Sequence, residues 1–272
     1  MKPKTNKASL LALACALAST ILRAAEPAAE TDAAADLAKK LSNPVAALIS
    51  VPFQNNVDFG IGANDGVRYT LNVQPVVPFS LNDDWNLISR TIVPFVYQKD
   101  VFGTSSQSGL SDTVQSLFFS PKQPTSGGWI WGAGPVFLLP TATDDRLGTE
   151  KWGIGPTAVA LKQSGGWTYG VLANHLWSVA GNGSRQDLSA TFLNPFVSFT
   201  TKKQTTFTLT TESTYDWKNS QWTVPLAVSV SQLVKFGKQP VSIGGGVRYY
   251  AEGPSGGPEW GLRFAVTFLF PK

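Results

Sequence analysis

The chain has 272 residues and a formal charge of +4, with 15% charged residues against 43% hydrophobic ones. Residues 1–25 carry the cations Lys2, Lys4, Lys7 and Arg23 and no acid, so the remainder is close to neutral and makes no case for nucleic-acid binding. Cys15, the single cysteine, lies in the same stretch, which leaves the rest of the chain without a disulfide or a thiolate metal site.

In chain order, the lysines at the start precede an apolar run from Ala8 to Leu22, and Ala24 and Ala25 follow. This is the layout of a cleaved secretory signal peptide over residues 1–25. The run is shorter than the roughly 20 apolar residues of a membrane-spanning helix. Ala12 stands where a lipoprotein signal wants leucine, so Cys15 reads as signal core. Residues 26–44 are rich in Ala, Glu and Lys and read as a periplasmic linker or short helix, with Leu37 and Leu41 one turn apart and Asn43-Pro44 as a stop.

From Val45 the texture changes. Stretches of alternating apolar and polar residues are separated by turn clusters, at 45–54, 67–80, 85–99, 109–120, 128–141, 150–163, 167–181, 188–201, 204–217, 221–235, 239–250 and 259–270. Their length suits tilted membrane-crossing strands of about 9–11 residues better than the 5–6 usual in soluble sandwiches. In the last stretch Trp260, Leu262, Phe264, Val266, Phe268 and Phe270 share one face, and Gly261, Arg263, Ala265, Thr267 and Leu269 the other. Stretches 109–120 and 188–201 alternate poorly. The expected fold is all-β: a transmembrane antiparallel β-barrel of about 12 strands over 45–272, placed in the cell outer membrane. A sheet in lipid must close on itself, and bacterial barrels use even strand numbers. With the first strand running outward, the shorter gaps, such as 164–166 and 202–203, become periplasmic turns, and 55–66, 142–149 and 251–258 become outer loops. Tryptophans fall at strand ends, as two aromatic girdles require: Trp85, Trp129, Trp131 and Trp167 on the periplasmic side, Trp152, Trp177, Trp217, Trp222 and Trp260 on the outer side. Prolines inside the stretches (Pro75, Pro78, Pro94, Pro135, Pro156, Pro195, Pro225) fit a ladder poorly and call for bulges.

Leu48–Asp58, Tyr69–Arg90, Gln115–Pro124, Gly134–Lys151 and Pro258–Lys272 together give the chain a family likeness. It resembles proteobacterial outer-membrane β-barrel proteins described as transporters, a group near the outer-membrane proteins of the MetA phenol-degradation pathway. The resemblance spans nearly the whole chain after the signal and implies a barrel with an uptake role. It brings no catalytic residues. Barrel proteins commonly finish on an aromatic residue, whereas this chain ends Phe270-Pro271-Lys272.

The expected function is passive or facilitated uptake of small molecules through a narrow lumen, since twelve strands lie between a packed eight-stranded barrel and an open porin. The expected lumen residues are Arg68, Asn72, Gln74, Arg90, Glu212, Arg248 and Arg263. Four arginines would share one side of the wall, either as an anion-favouring strip or as structural ion pairs with Glu212 and outer-loop acids. Expected partners are outer-membrane lipid, the barrel-assembly machinery through the C-terminal strand, and a small-molecule cargo of unknown identity. The rival readings are a barrel enzyme of the lipid hydrolase type and a purely structural membrane protein. A hydrolase would have to use His175, which shares a face with Trp167, Tyr169, Val171 and Trp177 and so points toward lipid. No enzyme activity, cofactor or metal is expected. Asp144-Asp145 with Glu150 reads as solvated loop charge, and Gly244-Gly245-Gly246 as a bend or bulge.

Overall fold

The computed structural model describes residues 32–271; the signal peptide expected at 1–25 lies outside them. One helix, α1 (Asp32–Leu41), precedes β1 (Ile49–Ile61), β2 (Gly66–Val73), β3 (Val76–Ser80), β4 (Trp85–Lys99), β5 (Ser106–Leu110), β6 (Thr113–Pro121) and β7 (Trp129–Leu139). There follow β8 (Lys151–Ser164), β9 (Trp167–Gly181), β10 (Ser189–Thr200), β11 (Thr205–Thr211), β12 (Ser213–Asp216), β13 (Gln221–Phe236), β14 (Gln239–Glu252) and β15 (Trp260–Phe270). β2 with β3, β5 with β6, and β11 with β12 are single crossings with an interruption, so the wall is a closed antiparallel barrel of twelve strands. Closure runs through β1 and β15, from Ile49 opposite Phe270 to Phe59 opposite Trp260. The barrel thereby has no open edge to present unpaired backbone groups to lipid.

The fold is that of an outer-membrane barrel, and the exterior is built for that setting. Phe95, Phe119, Ile154, Leu209, Val228, Leu262, Phe264 and Phe268 face outward and are exposed. Trp129, Trp131 and Trp167 ring the end that holds α1 and the end of β15, where the indoles of Trp85 and Trp131 meet edge to face at 5.8 Å. Trp152, Trp177, Trp217 and Trp222 ring the other end. Aromatic rings of this kind sit where a barrel crosses the two interfaces. The turns on the terminal side (81–84, 165–166, 201–204, 237–238) are mostly shorter than the loops opposite (100–105, 140–150, 182–188, 253–259), which marks the terminal side as periplasmic.

Three expectations are corrected or narrowed. The first strand is Ile49–Ile61, not 45–54, and the barrel wall starts at Ile49. Val45, Ala46 and Leu48 are apolar because they are buried inside the barrel, not because they face lipid. The outer loop expected at 55–66 shrinks to 62–65. Of the two alternatives for 26–44, linker or short helix, the described part holds the short helix at Asp32–Leu41. α1 is stabilised by alanines, a Leu37/Leu41 pair and Lys39 and Lys40 in its last turn, where cations offset the helix dipole. It lies within the bore, with Leu37 and Leu41 packed around Ala38, Ala46, Leu48, Leu233 of β13 and Leu269 of β15. On the far side Gln163 Nε2 of β8 donates to the Lys39 carbonyl at 2.9 Å, and Val45 is buried with Ile88, Phe118, Val159, Leu161 and Leu172. Residues 32–48 therefore cross the periplasmic end of the barrel as a plug. Third, Gly244-Gly245-Gly246 is no bulge, because the β13–β14 register is unbroken from Pro225 to Phe236. Glycine is needed there because a Cβ on Gly244 or Gly246 would run into Ser231 or Ser229 and the neighbouring backbone.

Several of the prolines sit where the ladder is already interrupted. Pro75 separates β2 from β3, and Pro225 lies at the register shift against β14. Pro135 falls in a gap of the β6–β7 ladder, and Pro156 in a gap of the β8–β9 ladder. Pro195 and Pro225 flank the break at Glu212 between β11 and β12. The poor alternation of 109–120 has a related cause. The pairing of β5 and β6 on β4 slips by one residue, from Phe95 opposite Leu110 to Ile92 opposite Val114, a bulge at Ser111-Asp112.

Candidate functional site

Period-two alternation puts Ser50, Pro52, Gln54, Asn56 and Asp58 of β1 on the inward face. Cross-strand pairing carries that face to Thr70, Asn72 and Arg68 on β2 and to Thr267, Ala265 and Arg263 on β15. Through Arg263 opposite Gly246 and Gly261 opposite Arg248, the inward face continues onto β14. Arg68, Asn72, Gln74, Arg90, Arg248 and Arg263 thus lie on neighbouring crossings, and Glu212 approaches from the β11–β12 break.

The arginines are held in two different ways. Arg263 grips Glu212 with two parallel bonds, Nη1 to Oε1 at 2.9 Å and Nη2 to Oε2 at 2.7 Å, while its Nε donates to Asn56 Oδ1 at 2.8 Å. Arg248 donates through Nη2 to Asp58 Oδ1, and its Nη1 is 3.9 Å from Glu212 Oε2. The Tyr250 hydroxyl donates to the same Asp58 oxygen at 3.1 Å. Asp58 reaches Arg248 across β15 because the intervening residue is Gly261, whose Cβ would collide with the Asp58 carboxylate. Arg68 and Arg90 take amide partners instead: Arg68 Nε donates to Gln98 Oε1 at 2.8 Å, and Arg90 Nη2 to Gln74 Oε1 at 3.1 Å. Gln98 passes the chain on to Gln107 at 3.0 Å. Among these residues four guanidinium groups face two carboxylates.

Below the charged network lies a cavity of about 360 Å³. Arg90, Arg263, Glu212, Gln54 and Asn194 form part of its polar wall, Val76, Leu172 and Phe196 an apolar flank, and Leu41 to Leu48 its floor toward the periplasm. The bore is divided lengthwise. The β4–β9 side is filled by Ile88, Phe118, Val159, Leu161 and Leu172, whereas the side facing it from β10 to β2 is lined by Thr, Ser, Asn, Gln and the charges. The sequence missed Asp58 and Asn56, which fell within the loop expected at 55–66. The polar-inward alternation of Gln54, Asn56 and Asp58 was the signal that the strand continues.

His175 lies on the outer wall. Its ring packs 4.1 Å from Trp177, its Nδ1 is 2.7 Å from Thr191 Oγ1, and its Nε2 is 3.4 Å from Ser189 Oγ. A hydroxyl orients the ring, and the Trp217 indole N–H also donates to that hydroxyl at 2.8 Å. Two of the outer-loop acids are matched by cations: Asp144 accepts from Arg146 Nη2 at 2.9 Å, and Glu150 lies 3.7 Å from Arg185.

No protein-family model matches the chain, and no curated protein sequence does. Among solved structures, the chain is similar to an outer-membrane channel from Pseudomonas putida F1, with a TM-score of 0.64 and 16% identity over 82% of this chain and 94% of that one. The outer-membrane phospholipase of Salmonella typhi, a dimer with bound calcium, gives 0.49 at 10% identity, covering 86% of this chain and 96% of that one. The KdgM porin in complex with oligogalacturonate gives 0.46 at 11% identity, covering 82% and 99%. The first of these likenesses extends over nearly all the described residues and agrees with the barrel read from the strand pairing.

Proposed function

We propose that this protein is an outer-membrane channel that admits small molecules by passive or facilitated passage through a narrow lumen. The observation that carries the reading is the cavity of about 360 Å³, which lies between a charged network on the outer side and the plug on the periplasmic side. A purely structural barrel would have no use for a water-accessible chamber lined by charge. The plug is held by apolar contacts in both buried clusters, and passage proceeds by its shifting within an intact wall. The resemblance to barrel transporters and the likeness to a channel both agree with this reading. During assembly the C-terminal strand β15 is the segment handed to the barrel-assembly machinery, because its pairing with β1 completes the wall.

Reconstitution tests the reading directly. The purified chain in planar bilayers should give stepwise conductance, and in liposomes should speed swelling in small solutes more than in large ones. Absence of both current and swelling overturns it. Incubation with phospholipid vesicles separates the hydrolase reading, which requires release of fatty acid that Ser189→Ala abolishes.

A further inference from the structure

We propose that Arg90 is a carboxylate anchor inside the lumen cavity, and that the solutes held there are small organic acids with a compact apolar body. The inference rests on the passage reading and adds the class of cargo. Arg90 lies midway along β4, is half-buried and lines the cavity. Its neighbours show what it lacks. Arg263 and Arg248 each have an acid partner, and Arg68 is engaged by Gln98 in the network outside the cavity lining. Among the described residues, Arg90 alone of these four spends one side-chain bond on a glutamine, has no carboxylate within 4.0 Å, and faces open volume. A guanidinium offers five N–H donors in a planar fork that matches a carboxylate with two parallel bonds. Such charge-assisted pairs are about twice as strong as neutral ones.

The surroundings set the rest of the ligand. Glu212 shares the cavity, but the bidentate grip of Arg263 offsets its charge, so the field near Arg90 stays positive. Gln54 and Asn194 add amide groups to the wall. Val76, directly opposite Arg90 on β3, joins Leu172 and Phe196 in an apolar flank. A charged head at Arg90 with a short hydrocarbon or single ring against that flank satisfies both surfaces. An inorganic anion would use only the first, and a neutral analogue only the second. The volume lies at the small end of the range for specific sites, roughly 300–1,000 Å³.

The experiment is calorimetric titration of the full chain in detergent with benzoate, benzamide and inorganic phosphate as probes. Benzoate should bind saturably, with benzamide and phosphate weaker by about tenfold or more, the scale of a lost charge-assisted bond. Arg90→Gln should weaken benzoate by about tenfold, and Arg90→Lys, which keeps the charge but not the fork, by less. Arg185→Gln in the outer loop should leave binding unchanged. An unboiled-gel shift checks that each variant is folded, and Arg90→Lys carries the comparison if Arg90→Gln does not fold. Equal binding of benzamide, undiminished binding by both Arg90 variants, or no saturable binding overturns the anchor. Benzoate flux into vesicles without saturable binding removes the anchor and leaves the passage reading, whereas Arg90-dependent binding without flux of any solute removes the passage reading and leaves the anchor.

Discussion

At the scale of single residues, the lumen separates arginines that hold the structure from arginines that face solute. Arg248 and Asp58 are both nearly sealed, with side-chain exposures of 8% and 10%. Removing one partner of such a pair leaves the other charged and desolvated, a cost of about 3–5 kcal/mol. Arg248→Gln should therefore lower stability by that amount in urea titrations of the lipid-embedded barrel. Arg68→Gln, which loses a bond to an uncharged amide, should cost about 1–3 kcal/mol. Equal losses at the two positions would show that the Asp58 pair has no special standing. A second residue-scale prediction concerns pH. The Lys151 ammonium and the Ser178 hydroxyl hold the Asp187 carboxyl below its ordinary value. A depressed folded-state value means that the contribution is complete above the usual carboxylate range and is lost as pH falls through the depressed value. Amide exchange at Ser178 and Leu188, corrected for its intrinsic rate, should be steady near neutrality and quicken only on strong acidification.

At the scale of elements, alternation made most of the wall and the inward residues legible from the sequence. Arg68, Asn72, Gln74, Arg248 and Arg263 alternate with apolar neighbours, whereas Arg90 stands between Ser89 and Thr91 and Glu212 between Thr211 and Ser213, so their phase is carried only by residues further along the strand. Legibility failed where a second environment imposed its own pattern. Val45, Ala46 and Leu48 carry the apolar character of a strand but belong to the plug, a distinction that depends on what lies inside the bore and not on local periodicity. Asn55 breaks the apolar face of β1 between Phe53 and Val57, so the strand appeared to stop before Asp58. In β10 the inward positions Phe192 and Phe196 are themselves apolar, which blurred that alternation. The two faces of β15 give a direct test. Phe264→Arg places a cation against lipid and should impair insertion by about 2–4 kcal/mol if it lies at the midplane. Ala265→Arg points into the cavity and should be milder. Refolding yields into vesicles compare them, and equal damage would mean that the faces are wrongly assigned.

At the scale of the molecule, the closed wall and the plug answer to different measurements. A closed barrel resists detergent, so the mature chain should fractionate with the outer membrane and migrate anomalously on unboiled gels; recovery in the soluble periplasm would contradict the fold's setting. Excision of residues 32–41 should leave that gel shift intact and raise single-channel conductance, because the wall is complete from Ile49 onward and α1 contributes only to the floor. Unchanged conductance would mean that the helix does not limit flow. The seam between β1 and β15 has a consequence for how the protein is made. Leu269, against which Ala46 and Leu48 rest, belongs to β15, and Ile49, the first residue after the plug, pairs with Phe270 beside it. The seat of the plug is incomplete until the final strand arrives, because Leu269 is missing until then, although Leu233 of β13 and the residues around Val45 are already present. A chain stalled short of β15 is therefore both unsealed at its side and without part of the surface that holds residues 32–48 in its base.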